Sequence, residues 1–161
     1  MQFPERPAPA ASPGAPPADA SRPDAPGADV PLPRALLVDD EPVIRQALRR
    51  FFTRSGWAVD EAEDGTEALR HLLGDPAAGR VAGDYAVIIS DLRMPGVSGI
   101  ELHARLAAER PDLLRRLILS TGDSVSVEAA DFLRRAHCPV LNKPFELAEL
   151  REMVARVRGA P

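Results

Sequence analysis

Four short clusters in this chain carry groups that could do chemistry together: Asp39-Asp40, Asp91, Ser120-Thr121 and Lys143. Taken singly, each has a plainer reading. Acids at a helix start stabilise its dipole, an Asp or Thr at a strand end caps a turn, and a lysine is a solvated surface charge. Taken together they are harder to dismiss. Two carboxylates about 5 Å apart repel by roughly 3 kcal/mol at an effective dielectric near 20. A third makes this worse, and relief must come from a raised pKa, a cation, or both. All-oxygen ligands in a half-open site favour a hard divalent ion, and few protein ligands favour Mg2+ before Ca2+. Mg2+ keeps waters and accepts phosphate oxygens, so the set suits a phosphoryl group. Lys143 would bind one phosphoryl oxygen as a point charge. Thr121 would donate a hydrogen bond to another, and Asp91 would be the carboxylate nucleophile.

Whether these groups meet depends on the elements that carry them. Ala35-Leu36-Leu37-Val38 is an apolar run ending in Asp39-Asp40-Glu41. Pro42 is tolerated in a first helical turn. Val43, Ile44, Ala47, Leu48, Phe51 and Phe52 then recur on one helical face, and Gly56 stops it. Residues 57–62 read as a half-exposed strand. Asp64 with Glu67 three residues later opens a second helix like a capping box. Residues 74–84, with three glycines and a proline, read as a loop. The strand 85–90 delivers Asp91, and the spacing predicts a helix from Ser98 to Glu109 ended by Pro111. A strand over 116–121 delivers Ser120 and Thr121. A helix from Ser126 to about Ala136, a brief strand over 139–141 and a last helix through Val157 follow. This is βα repeated five times, an α/β pattern with parallel strands and right-handed crossovers. Parallel strands share one C-terminal edge, so all four clusters arrive there.

Composition sets the rest. Net charge is −4 over 161 residues, which gives no electrostatic case for nucleic acid. The lone Cys138 excludes an internal disulfide and reads as a small buried thiol in a reducing compartment. Nothing approaches the length of apolar sequence needed to span a bilayer, and no signal peptide is legible, so the expected location is cytoplasmic. Residues 1–33 hold ten of the 17 prolines and eight alanines, and read as a disordered tail or linker. Of the 20 basic residues only Lys143 is lysine, so that position is singled out by composition as well as by place.

Val38-Asp39-Asp40-Glu41, Asp91 to Gly96, Ser120-Thr121-Gly122 and Lys143-Pro144-Phe145 resemble the motifs of the receiver domain of bacterial two-component response regulators. The resemblance covers residues 34–158, leaving 159–161 as a short tail. It implies a flavodoxin-like doubly wound parallel sheet of strand order 2-1-3-4-5. By position it implies that Asp91 is the phosphoacceptor, loaded from a histidine kinase or phosphotransfer protein, and that Mg2+ is the cofactor. Asp40, Asp91 and the main-chain carbonyl of Arg93 would be ligands, with Asp39 acting through water. Thr121 would be the switch hydroxyl, Lys143 the phosphoryl-binding lysine, and Lys143–Pro144 a cis peptide. The chain would not be an enzyme beyond phosphorylating and slowly dephosphorylating itself. Arg93 and Asp123 would flank the approach of hydrolytic water. One departure stands out: Val140 occupies the place where the family often has a swinging aromatic.

Two rival readings remain in view. A Mg2+-dependent aspartyl phosphatase wants a second acid two residues after its nucleophile, where this chain has Arg93. A receiver-like module that binds partners without phosphorylation would not need the whole set of chemical residues. His71, His103 and His137 lie in no kinase-like motif and read as surface or packing residues. No DNA-binding domain is expected after the last helix, so output would pass through an unidentified protein partner. A stand-alone receiver and a receiver of a hybrid kinase both fit.

Overall fold

A computed structural model describes residues 30–122 and 124–159. Most of the tail expected over 1–33, and Asp123, therefore lie outside the described residues. The unit Pro31–Pro161 is built on five parallel strands, β1 Arg34–Val38, β2 Ala58–Ala62, β3 Val87–Asp91, β4 Leu117–Thr121 and β5 Val140–Asn142, in the order β2-β1-β3-β4-β5. The helices are α1 Pro42–Arg54, α2 Gly65–Leu73, α3 Gly99–Glu109, α4 Pro111–Leu114, α5 Val127–Ala136 and α6 Leu147–Val157. This is the expected doubly wound α/β fold.

Alternation along the strands divides the core in two. Leu36, Val38, Ile88, Leu117 and Leu119 face one side and pack with Leu72, Leu102 and Leu106 of α2 and α3. Ala35, Leu37, Val87, Ile89 and Ile118 face the other and pack with Phe52 of α1 and Leu150 and Val154 of α6. Full burial of each large aliphatic is worth about 1.5–3 kcal/mol, so these layers fix the sheet. Strands β3 and β4 are buried from end to end, Asp91, Ser120 and Thr121 included. The polar tips are thus held at the edge by apolar residues immediately before them.

Local capping places the helices. Ser98 and Glu101 form a full capping box at α3. At α2 the Asp64 carboxylate accepts from Glu67 N, but the Glu67 carboxylate reaches back to Glu63 N instead of the cap residue. Further details differ from the sequence expectation. Strand β3 starts two residues later than expected and takes in Asp91 as its last residue. Pro111 ends α3 but also opens the one-turn helix α4, because a proline that cannot extend a helix is well suited to start one. The loop 74–84 contains a short 3-10 turn, Pro76–Ala78, capped by Asp75. Strand β5 is shifted one residue toward the C-terminus. The carbonyl of Pro33 accepts from Ala58 N at 2.9 Å, so the chain joins the sheet just ahead of β1. No helix among the described residues is long and apolar enough to cross a membrane.

Candidate functional site

The parallel register brings the clusters to one edge. Val38 pairs with Ser90 and Asp91 with Ser120, so Asp39 and Asp91 leave adjacent strands side by side. Leu92 N donates to the Ser120 carbonyl at 2.8 Å, and Lys143 N donates to the Thr121 carbonyl at 2.7 Å. The second bond carries the β5–α6 loop back over the site. The Lys143–Pro144 peptide is cis.

Lys143 then reaches across two strands. Its Nζ donates to Asp39 Oδ2 at 2.8 Å and lies 3.4 Å from Asp91 Oδ2 and 3.7 Å from Glu41 Oε1. Asp39, Asp40 and Asp91 each offer an oxygen within 4.8 Å of the others'. With Glu41 at the rim, four carboxylates therefore gather around one ammonium, and the excess is negative. Burial, the Asp39 charge adding to it, raises the Asp91 pKa above its usual range, against the opposing pull of Lys143 and the Arg93 N–H. Burial works against the Lys143 charge, yet the hydrogen bond to Asp39 and the charges of Asp39 and Asp91 outweigh it and raise its pKa.

The three aspartates are held differently. Asp39 is buried and fully engaged. Its N–H donates to Ala62 O, its carbonyl accepts from Arg45 Nη1 at 2.5 Å, Oδ1 accepts from Glu41 N and Oδ2 from Lys143. Asp40 is exposed, and among the described residues its carboxylate has no hydrogen bond or ion pair. Asp91 is only one-tenth open at its side chain, with Oδ1 accepting from Arg93 N at a long 3.3 Å. Arg93 meets the site through its main chain, and its side chain is exposed. Thr121 is buried beside the site, its hydroxyl donating to Gly122 O at 3.4 Å.

All-oxygen donors, an excess of negative charge and a carboxylate free to turn fit a hard divalent cation. Asp39, with both carboxylate oxygens taken, suits an outer position, and Asp40 and Asp91 an inner one. Sequence reasoning does not single out Arg45. Its signal is its place, six residues beyond Asp39 on the first turn of α1.

A family model described as the response regulator receiver domain matches residues 35–155. The chain belongs to the response regulator receiver family. This receiver domain is 36% identical over 127 residues to the response regulator MprA of Mycolicibacterium vanbaalenii, covering 78% of this chain and 49% of MprA. The MprA of Mycobacterium tuberculosis matches to the same extent. The chain thus spans about half the length of the curated relatives it matches. Among solved structures, a response regulator receiver protein from Pseudomonas putida superposes with a TM-score of 0.64 at 31% identity, covering 78% of this chain and 98% of that one. TrrA of Thermotoga maritima, in complex with Mg(2+)-BeF, superposes with a TM-score of 0.62 at 32% identity, covering 78% and 99%.

The remaining candidates fall outside the receiver site. His71 Nδ1 lies 3.3 Å from the Tyr85 hydroxyl, His103 packs edge-on against Phe132, and His137 caps α5 in a left-handed conformation. Cys138 donates to Leu117 O, and burial pushes its thiol up to about 12, which fits a packing residue. Val140 is a half-buried residue of β5, in register with Leu119.

Proposed function

We propose that Asp91 takes a phosphoryl group from a phosphohistidine of a partner kinase or phosphotransfer protein, and that the phosphorylated receiver docks differently on a downstream protein. The observation that carries this reading is the 3.4 Å approach of Lys143 Nζ to Asp91 Oδ2, beside Asp39 and Asp40, at one sheet edge. An Asp91 oxygen attacks phosphorus as the bond from phosphorus to the imidazole nitrogen breaks. Lys143 is placed to hold a phosphoryl oxygen as a point charge. Thr121, whose hydroxyl bond to Gly122 O is long, is free to turn toward the group once it arrives.

Asp40, Asp91 and the Arg93 carbonyl would hold Mg2+, with Asp39 behind them through water. The bound ion supplies positive charge against the phosphoryl oxygens and the crowded carboxylates. The Mg(2+)-BeF complex of TrrA supports an ion of this kind here. The chemistry is confined to the protein's own aspartate, which is what separates this reading from a phosphatase. Arg93, two residues after Asp91, supports the same distinction.

Intact-protein mass spectrometry with acetyl phosphate and Mg2+ tests the assignment. The wild type is expected to gain the mass of one phosphoryl group, and Asp91→Asn none. A wild type that gains nothing, or an Asp91→Asn variant that gains as much, overturns it.

A further inference from the structure

We propose that Arg45 is a positioning residue for the cation site, acting through the peptide plane between Asp39 and Asp40. The proposal rests on the reading that Asp40 holds Mg2+.

Arg45 stands on the first turn of α1, at the end facing the site. Its Nη1 donates to the Asp39 carbonyl at 2.5 Å, and its Nε lies 3.7 Å from Glu61 Oε1. Glu61 is held in turn by Arg49 Nη1 at 2.6 Å. The guanidinium is therefore fixed from behind by the end of β2 and by the next turn of its own helix. Its side chain is only 16% exposed, unlike a solvated helix arginine.

The Asp39 carbonyl and the Asp40 N–H share one rigid plane. Holding the carbonyl sets that plane, and with it the direction in which Asp40 departs from the strand. This matters because the Asp40 carboxylate has no partner of its own among the described residues, whereas Asp39 is tied at all four polar atoms. The direction of Asp40 is set by its backbone, and Arg45 is the side chain that grips that backbone.

Charge and positioning predict opposite signs for the loss of Arg45. By charge alone, removing a cation next to the acidic cluster makes Mg2+ bind more tightly. By positioning, it makes Mg2+ bind more weakly, and losing a residue that orients a ligand typically costs about tenfold or more in metal affinity. A lysine keeps the charge but cannot span the Asp39 carbonyl and Glu61 with two nitrogens.

The test is calorimetric titration of the full chain with Mg2+, with the melting temperature of each variant read in Mg2+-free buffer. Arg45→Met is expected to weaken binding about tenfold, and Arg45→Lys to remain clearly weaker than wild type. Should Arg45→Met be unfolded at the assay temperature, Arg45→Lys alone decides. Unchanged or tighter binding in Arg45→Met, or wild-type binding in Arg45→Lys, overturns the proposal even if the melting temperature falls. A wild type that binds no Mg2+, or an Asp40→Ala variant that binds as well as wild type, overturns the ion reading itself and this proposal with it.

Discussion

Lys143 and Asp39 are 104 residues apart in the chain and 2.8 Å apart in space. The lysine side chain is 13% exposed and the aspartate 2%, so this is a nearly buried pair with a second carboxylate, Asp91, beside it. Removing one partner of such a pair leaves uncompensated charge. Lys143→Met is expected to destabilise the Mg2+-free protein at neutral pH by about 2 kcal/mol, less than a fully buried pair because the ammonium keeps some solvent. Urea unfolding at pH 7 checks this, and a midpoint equal to wild type would count against the pair.

The opposite sign is expected at Asp91. Burial, with Asp39 added, raises its folded pKa above the ordinary 3.8 despite Lys143. The folded state then binds this proton more tightly than the unfolded chain does. Its contribution favours folding in acid, and is lost as pH rises from about 3.8 through the folded value, above which the ionised carboxylate is a net cost. Asp91→Asn is therefore expected to raise the melting temperature at pH 7 without Mg2+, by on the order of a few °C. The gain should shrink as the pH is lowered toward 4. Melting curves across that range in the presence of a chelator decide it, and an equal gain at every pH would point to another cause.

The sheet was legible because β1, β3 and β4 are apolar on both faces and end in abrupt polar tips, which only a covered parallel sheet explains. From this the shared edge followed, and so did the meeting of Asp39, Asp91, Thr121 and Lys143. What stayed hidden is geometry that apolar patterning does not encode. The double role of Pro111 is one case, since stop and start use the same residue. Arg45 is another. An arginine on an amphipathic helix looks solvated in sequence, and only the position of Glu61 at the end of β2 turns it inward. The unequal tethering of Asp39 and Asp40, neighbours of identical type, depends on which side of the strand each leaves.

Close packing under Asp91 makes a separate prediction. A Cβ at Gly99 would lie 2.6 Å from the Asp91 carbonyl oxygen and 2.9 Å from Leu92 Cα. Both are backbone atoms and cannot swing aside. Alanine in a helix gains up to about 1 kcal/mol over glycine, while overpacking costs about 1–3 kcal/mol. Gly99→Ala is expected to be destabilising on balance and to slow phosphorylation by acetyl phosphate, since the strain falls on the Asp91 backbone. Denaturant midpoints and the rate of mass gain measure the two effects, and a variant as stable as wild type would show that α3 can yield.

On the proposed function, Thr121 would separate acceptance of the phosphoryl group from the response to it. Its hydroxyl is buried and, among the described residues, bonded only to Gly122 O at 3.4 Å, and Lys143 N is anchored on its carbonyl. The side chain is thus free to turn while the backbone beneath it is fixed. Val140 is no aromatic, so on the proposed function a hydroxyl shift at Thr121 would be transmitted through β4 and β5 by aliphatic packing, with Leu119 opposite Val140. Thr121→Ala is expected to gain the phosphoryl mass at a rate within about threefold of wild type, because the hydroxyl makes no hydrogen bond to Asp91 or Lys143 before transfer. Its amide NMR shifts in β5 and α5 should change much less on phosphorylation than those of wild type. If the shifts change as much as in wild type, the hydroxyl is not the element that reads the state of Asp91. If the mass gain is abolished instead, Thr121 belongs to the transfer step.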